Sequence, residues 1–173
     1  GTIFHTGDWK LDEDPVVGSS NPVELLQGLA DEGILAVVCD STNANVDGRS
    51  VSEGELTGSL ESLIADMPGR VVVACFGSNI ARLHTLASIA GRVGRYPGLL
   101  GRSLGNYHRA AANAGIWDPA LNLIDPQHLG YLPREEVLAI ATGSQGEDGA
   151  ALDRLAADRH PHLNLEPGDA IIF

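Results

Sequence analysis

An apolar run of strand length fills residues 70–76, which read Arg70-Val71-Val72-Val73-Ala74-Cys75-Phe76. Further runs of this kind lie at residues 34–39, 97–100, 137–141 and 170–173. A run that is apolar at every position is typical of a strand buried on both faces of a parallel sheet, since one-sided strands alternate apolar and polar residues. We therefore expect these runs to be the strands of one parallel sheet.

Helical patterns separate the strand-like runs. Leucine and isoleucine recur at helical spacing from Leu56 to Ile64, between a capping box at residues 52–55 and the helix-ending pair Pro68-Gly69. Similar spacing predicts helices over residues 22–31, 79–91, 104–114 and 149–158. This alternation predicts a three-layer α/β domain around a mainly parallel sheet.

Composition restricts the class of protein. The chain has 173 residues, 43% of them hydrophobic, which is enough for one well-packed domain. No apolar run reaches the roughly 18 residues of a membrane helix, and the first residues lack a signal-peptide pattern, so we expect no membrane partner. Cys39 and Cys75 are too few for a disulfide framework, and we expect two buried thiols in a cytoplasmic protein.

The net charge of −12 argues against a protein with a broad basic face for nucleic acid. It remains compatible with a narrow basic groove on an acidic body. Common nucleotide and hydrolase motifs do not occur: the chain has no G-x-x-x-x-G-K-[ST], no G-x-G-x-x-G after its first strand-like run, and no G-x-S-x-G. A P-loop ATPase, a dinucleotide-dependent dehydrogenase and a serine hydrolase are therefore disfavoured.

Small polar residues follow the strand-like runs. They are Asp40-Ser41-Thr42-Asn43, Gly77-Ser78-Asn79 with Arg82 one turn later, Gly101-Arg102-Ser103, and Thr142-Gly143-Ser144-Gln145-Gly146-Glu147. Ligands of open parallel sheets bind beyond the carboxyl ends of the strands, where hydroxyl, amide and guanidinium groups suit a phosphate. The same residue types also cap helices and form turns, and that alternative stays open.

These segments, together with one near the start of the chain, resemble a known family. His5-Thr6-Gly7-Asp8-Trp9-Lys10, Cys39-Asp40-Ser41-Thr42-Asn43-Ala44, Phe76-Gly77-Ser78-Asn79, Gly101-Arg102-Ser103 and Thr142-Gly143-Ser144-Gln145-Gly146-Glu147 occur in this order and spacing. They are similar to the ribonuclease J family, which belongs to the β-CASP branch of the metallo-β-lactamase superfamily. The resemblance covers nearly the whole chain.

The resemblance implies a β-CASP domain inserted in a metallo-β-lactamase-type hydrolase. Residues 1–18 are then an arm derived from the hydrolase domain, residues 19–165 the β-CASP domain, and residues 166–173 a return strand. The chain ends are expected to lie close together, with Asp8 on the exposed arm. The implied parent is a homo-oligomer with two zinc ions that hydrolyses RNA, from the 5′ end and also internally, in messenger decay and ribosomal RNA maturation.

The resemblance also assigns roles to single residues. Asp8 matches the aspartate that bridges the zinc ions, and Asp40 matches an acidic residue of the catalytic site that orients a metal-ligating histidine. Ser78 and Asn79 match the loop next to the pocket for the RNA phosphate. Further residues expected to line the RNA channel are Arg82, Arg102, Ser144 and Gln145.

The chain lacks the main metal-binding motif of the family. The motif H-x-H-x-D-H does not occur, and Asp8 supplies one ligand where a catalytic zinc needs about three from the protein. We therefore expect this chain alone to bind no zinc tightly and to cleave no RNA.

Two other interpretations and one further motif stay open. The chain could be a stand-alone α/β module that binds a phosphorylated metabolite, or an interaction domain without a ligand. The pair in His160-Pro161-His162 is interpreted as surface histidines rather than the start of a metal site, since no cysteine or carboxylate pattern accompanies it.

Overall fold

The computed structural model describes residues 1–10, 12, 14–18, 22–48 and 50–173. It divides the chain into two compact units, Gly1–Glu55 and Leu56–Phe173. Within the described ranges, no helix combines the length and the apolar character needed to cross a lipid bilayer. The expected domain boundaries after residues 18 and 165, and the expected closeness of the chain ends, refer to a parent protein and stay predictions.

The first unit contains a two-stranded parallel sheet. Strand β1 (Thr2–His5) pairs with β2 (Ile34–Val38), and helix α1 (Pro22–Ala30) lies between them in the chain. We expected residues 34–39 to be buried on both faces of the main sheet, which is wrong: Leu35 is 74% exposed and Val37 is 58% exposed. Two strands form too small a sheet to bury both of their own faces. The first residues of the expected arm form β1.

The second unit alternates strands and helices. Its elements are α2 (Leu56–Ala65), β3 (Val71–Ala74), α3 (Ile80–Arg92), β4 (Tyr96–Leu100), α4 (Arg102–Asn113), α5 (Pro126–Leu129), β5 (Val137–Ala141), α6 (Ala151–Ala156) and β6 (Ala170–Ile172). The strands pair in the order β4-β5-β3-β6, and every pair is parallel. The prediction of an α/β fold around a parallel sheet is confirmed, with four of the five expected strands in this sheet.

Alternate residues of the central strands face two different cores. Val71 and Val73 pack with Leu138 and Ile140 against residues of α2, α3 and α4. Val72 packs on the opposite face, against residues of α5 and α6. Every residue of β5 is buried. Helices thus cover both faces of the sheet, which confirms the three layers and explains why these strands are apolar at every position.

The two cysteines differ in their surroundings. Cys75 is buried directly after β3, as expected, whereas Cys39 is exposed, so the expectation of two buried thiols is wrong for Cys39. The difference follows from the strands that they end, because β2 is exposed and β3 is buried. Neither side chain forms a disulfide bond within the described part of the chain.

An ionic network joins β6 to β3 at the amino ends of these strands. The carboxylate of Asp169 accepts hydrogen bonds from the Arg70 amide at 3.0 Å and from Arg134 Nη2 at 2.7 Å. A second carboxylate, on Glu166, lies 2.7 Å from Arg70 Nη1. Since Arg70 precedes β3 and Asp169 precedes β6, the network supports the register that pairs Val71 with Ala170.

A second buried arginine ties together the loop before β3 and the start of β5. The guanidinium of Arg95 donates to the carbonyl of Gly69 at 2.8 Å, to that of Val137 at 3.2 Å, and to that of Met67. Arg95 is 5% exposed. Carbonyl groups that would otherwise be buried without partners are therefore satisfied by one side chain.

We predict that Asp169→Asn destabilises the protein by about 3 kcal/mol at neutral pH, because the nearly buried guanidinium of Arg70 loses an ionic partner. Burial raises the pKa of Asp169, but the hydrogen bonds from Arg134 and from the amides of Glu166 and Arg70, together with the charge of Arg70, lower the pKa overall. A carboxylate with a lowered pKa stabilises the fold at pH values above its ordinary pKa of 3.8. This stabilisation is lost as the pH falls through the lowered pKa.

Thermal unfolding between pH 2 and 7 checks this prediction. The difference in melting temperature between the wild type and Asp169→Asn should be largest near neutral pH and should become smaller in acid. Glu61→Gln is the control, because the pair of Glu61 with Arg92 is partly exposed and should contribute less than about 1 kcal/mol. Equal destabilisation by both variants would contradict the prediction.

Gly98 in β4 permits the close approach of α5. A Cβ added at Gly98 would lie 2.5 Å from Cδ1 of the fully buried Leu129. We predict that Gly98→Ala costs about 1–3 kcal/mol of stability through overpacking. The control is Gly91→Ala near the end of α3, where no atom lies within 4 Å of the added Cβ and where alanine favours the helix. Chemical denaturation measures both changes, and a neutral Gly98→Ala would contradict the account.

Candidate functional site

The two predicted acidic residues lie in the first unit, beyond the carboxyl ends of its strands. Asp8 follows β1 in an exposed bend, as expected, and Asp40 follows β2 and is also exposed. Thr6 connects their loops: its amide donates to the Val38 carbonyl at 3.0 Å, and its hydroxyl oxygen accepts from the Asp40 amide at 3.3 Å. The parallel pairing thus holds the two acidic loops side by side.

The carboxylate of Asp40 is held by its own loop. Thr42 donates to Oδ1 of Asp40 from its hydroxyl at 2.6 Å and from its amide at 3.0 Å. These hydrogen bonds favour the charged form and lower the pKa of Asp40 despite some desolvation. Asp40 is therefore ionised at neutral pH, and its Oδ2 atom can accept a hydrogen bond from a further group.

The donor groups around Asp8 are too few for a zinc ion. Asp8 offers one carboxylate, and Nδ1 of the neighbouring His5 accepts a hydrogen bond from the Gly7 amide at 3.0 Å. In the part of the chain that the structure describes, no three His, Cys, Asp or Glu side chains are grouped so that they could hold a metal ion. Since a catalytic zinc takes about three protein ligands, the described residues do not form a zinc site by themselves.

Three polar loops meet at the carboxyl edge of the four-stranded sheet. The loop after β3 touches the start of α4, where a Cβ on Gly77 would lie 3.0 Å from Ser103 Oγ. The loop after β4 touches the loop after β5, because Gly101, with φ of +134°, brings its Cα next to the side chain of Thr142. The fourth loop expected at this edge, residues 40–43, follows β2 in the other unit and does not belong to this sheet.

The residues expected beside a phosphate pocket begin helix α3. Asn79 is the N-cap residue, and its Oδ1 accepts the amide hydrogen of Arg82 at 2.9 Å. The alternative role of helix capping is therefore confirmed for Asn79, and RNA contact stays a prediction. Ser78 is exposed next to it, at the positive end of the helix dipole.

The other expected RNA-channel residues lie at the neighbouring loops. Arg102 is exposed as the first residue of α4. After β5, the Ser144 hydroxyl is buried, and no described residue forms a hydrogen bond with it. Gln145 is exposed, and its main-chain amide donates to Glu147 Oε2 at 3.0 Å. A buried hydroxyl without a partner is costly, so a group bound near Ser144 would gain a hydrogen bond.

A cleft beside this edge is lined by Arg102 and also by residues that no sequence motif indicates. The cleft has a volume of about 1090 Å³ and lies between α4, α6 and residues 160–162. Arg102 lines it, together with Arg109 and Arg154. A single arginine in a helical pattern does not indicate a binding site, because only the fold brings α4 and α6 together.

The histidine pair also lines this cleft. His160 and His162 are half-buried, and their rings meet edge to face with 5.8 Å between centroids. The expectation of ordinary surface histidines is therefore only partly right. Burial, the charge of His162 and the charge of Arg154 lower the pKa of His160, so this ring is neutral at neutral pH.

Comparisons with known proteins agree on one family. The family pattern described as "Ribonuclease J, beta-CASP domain" matches residues 68–173. Over the whole chain, proteins named Ribonuclease J are 40% identical in Sinorhizobium meliloti, 38% identical in Mycobacterium tuberculosis and 37% identical in Thermus thermophilus. The chain spans 31%, 31% and 30% of the lengths of these three proteins, respectively.

The family pattern and the fold agree with each other. Residues 68–173 contain all four strands of the parallel sheet and the three polar loops at its carboxyl edge. The similarity to the named proteins extends through the first unit as well, including the loops of Asp8 and Asp40. This chain therefore belongs to the ribonuclease J family and contains its β-CASP domain.

Proposed function

We propose that this chain is the β-CASP part of an enzyme that hydrolyses phosphodiester bonds of RNA. The observation that carries the proposal is the similarity of the whole chain to proteins named Ribonuclease J. The three polar loops at one edge of the sheet support it, because small hydroxyl and amide groups beside helix amides suit a phosphate chain. No observation favours the alternative of a stand-alone module for a phosphorylated metabolite.

We further propose the finer properties that the family resemblance implies. The enzyme acts as a 5′-to-3′ exoribonuclease and also as an endonuclease, in messenger decay and ribosomal RNA maturation. Two zinc ions are its expected cofactor, and the described residues leave most of the ligands to be supplied from outside this chain. A cytoplasmic location is supported by the two cysteines, which form no disulfide among the described residues and so suit a reducing compartment.

The first unit has a surface that suits contact with the rest of a larger enzyme. Ile3, Leu35, Val37 and Val38 in its sheet are 62%, 74%, 58% and 49% exposed. Because side chains alternate along a strand, Leu35 and Val37 are exposed on one face of the sheet and Val38 on the other. Exposed apolar side chains of this kind support the proposal that residues 1–18 contact a hydrolase domain. The return strand at residues 166–173 and a homo-oligomeric parent are proposed from the family resemblance.

The proposed roles of the acidic residues come from the family resemblance, and their geometry supports them. Asp40 is ionised, fixed by Thr42, and able to accept a hydrogen bond, so it suits a positioning role toward a histidine of the catalytic centre. Asp8 is an exposed carboxylate on the neighbouring loop and suits a contribution to a metal centre. Ser78, Arg82, Arg102, Ser144 and Gln145, with Asn79 beside them, are the proposed RNA contacts.

We predict that Asp40→Asn in the full-length protein lowers the rate of RNA hydrolysis by about 10- to 100-fold, the usual effect of removing a residue that orients a catalytic group. The assay follows the degradation of a 5′-monophosphorylated, single-stranded RNA on a denaturing gel. RNA affinity and thermal stability should stay unchanged, and Asp40→Glu should restore part of the rate. Asp47→Asn, another exposed carboxylate of this unit, is the control. Wild-type activity of Asp40→Asn would disprove the role of Asp40, and an inactive wild type would disprove the proposed function.

We also predict that the 173-residue chain binds zinc more weakly than micromolar and hydrolyses no RNA, because its described residues lack a group of three ligands. Isothermal titration with zinc measures the affinity, and the same gel assay measures the activity. Stoichiometric binding below micromolar concentration would contradict this prediction. Asp8→Asn is the matched variant, since it would remove any tight binding that depended on Asp8.

A further inference from the structure

The arginines of the described residues fall into two groups. In the larger group the side chain has an ionic or hydrogen-bonding partner: Arg70 and Arg134 contact Asp169, Arg92 contacts Glu61, Arg159 contacts Asp153, and Arg95 contacts main-chain carbonyls. Arg82 is also engaged. For Arg102, Arg109 and Arg154, the described part of the chain contains no such partner, and all three line the same cleft. In a chain with a net charge of −12, carboxylates are abundant, so this clustering needs a reason.

Helix α4 presents two of these arginines along one side. Arg102, Gly105, Arg109 and Ala112 line the cleft at intervals of three or four residues, which places them on one face of the helix. The rise of the helix separates Arg102 from Arg109 by about 10 Å. Gly105 and Ala112 have small side chains, so they leave space between and beyond the guanidinium groups. Arg154 lines the cleft from α6.

Two of these arginines act on neighbouring histidines of the cleft. Burial lowers the pKa of His108, and so does the charge of Arg109; for His160, burial is followed by the charges of His162 and Arg154. No carboxylate contributes to either shift. Three carboxylates, on Asp125, Glu147 and Asp148, also line the cleft, so its arginines and carboxylates are equal in number. Asp125 and Glu147 accept hydrogen bonds from the main-chain amides of Gln127 and Gln145, and none of the three forms an ion pair with the arginines in the part of the chain that the structure describes.

The shape of the cleft favours a chain of phosphates over a single one. Its volume of about 1090 Å³ is at the upper limit of small-molecule sites, which are roughly 300–1,000 Å³. Arginines on two helices, two of them about two helical turns apart on α4, can contact more than one phosphate at once. Leu123 and Ile124 add apolar surface to the lining.

We propose that the cleft between α4, α6 and residues 160–162 binds the phosphate backbone of single-stranded RNA, with Arg109 and Arg154 as phosphate contacts in addition to Arg102. The proposal rests on the proposed function as a part of a ribonuclease, and it names a binding surface beyond the polar loops. Guanidinium groups bind phosphate oxygens through charge-assisted hydrogen bonds, and they retain their charge at all relevant pH values.

The test measures RNA binding by the full-length protein, by fluorescence anisotropy of a labelled single-stranded RNA decamer in the presence of EDTA. The variants are Arg109→Gln, Arg154→Gln and the double variant. Each single change should weaken binding about 3- to 10-fold. The double change should also reduce the slope of log affinity against log salt by about 1.4 in magnitude, since each lost phosphate contact on a single strand accounts for about 0.7.

Arg159→Gln is the matched control, because it removes the same charge from an exposed position near α6 whose guanidinium contacts Asp153. It should change the affinity less than twofold and leave the salt slope as it is. Thermal unfolding of all variants should match the wild type. Competition with uridine monophosphate and with inorganic phosphate distinguishes a polynucleotide from a smaller ligand, and both should compete poorly.

The proposal would be overturned if the double variant bound RNA with the affinity and the salt slope of the wild type. It would also be overturned if Arg159→Gln weakened RNA binding as much as Arg109→Gln or Arg154→Gln. Binding of the monophosphate as tight as that of the decamer would overturn the assignment to an RNA strand. Persistent RNA hydrolysis in these cases would leave the proposed function intact. A wild-type protein that neither binds nor hydrolyses RNA would instead disprove the proposed function.

Discussion

Burial of β3 and β5 on both faces is the constraint on which the second unit depends. Their side chains pack into two separate cores, and water cannot reach their main-chain amides and carbonyls. Those groups must therefore bond to neighbouring strands, which β4 and β6 supply at the two sides. Because all four strands are parallel, their carboxyl ends share one edge, and the loops that leave them come together there.

The arginines at the amino ends of the strands have different surroundings from those beside the carboxyl ends. At the amino edge, Arg70 and Arg95 are nearly buried, and each is matched to carboxylates or carbonyls that would otherwise lack partners. Such groups stabilise one register of the strands. Beside the carboxyl edge, Arg102, Arg109 and Arg154 are exposed to a cleft. Arginines with protein partners and arginines that face a cleft thus lie at different ends of the strands.

The residues of the first unit are ordered by other interactions than those of the second unit. The sheet of the first unit has two strands, and apolar residues such as Leu35 and Val37 remain exposed. Its order comes from local hydrogen bonds in the loops, such as those from Thr6 and Thr42 that connect to Asp40. An acidic residue held by its own loop keeps its orientation without a surrounding core, which suits a residue that must meet a group from another part of a larger protein.

The sequence by itself determined the class of fold, the family and most element positions. Runs such as residues 137–141 are apolar at every position because both faces are buried, and that pattern is visible without a structure. The polar segments around Asp8, Asp40 and Ser78 were recognisable because their residue types and order are unusual in combination. These properties depend on residues close together in the chain.

Only the tertiary structure decided which elements become neighbours. Residues 34–39 have the same apolar pattern as the core strands, yet β2 pairs with β1 alone and stays exposed, because pairing depends on partners that the pattern does not specify. Arg109 and Arg154 are 45 positions apart in the chain and resemble any surface arginine. Their common cleft exists because helices on the sheet bring distant residues together, and local periodicity contains no information about that distance.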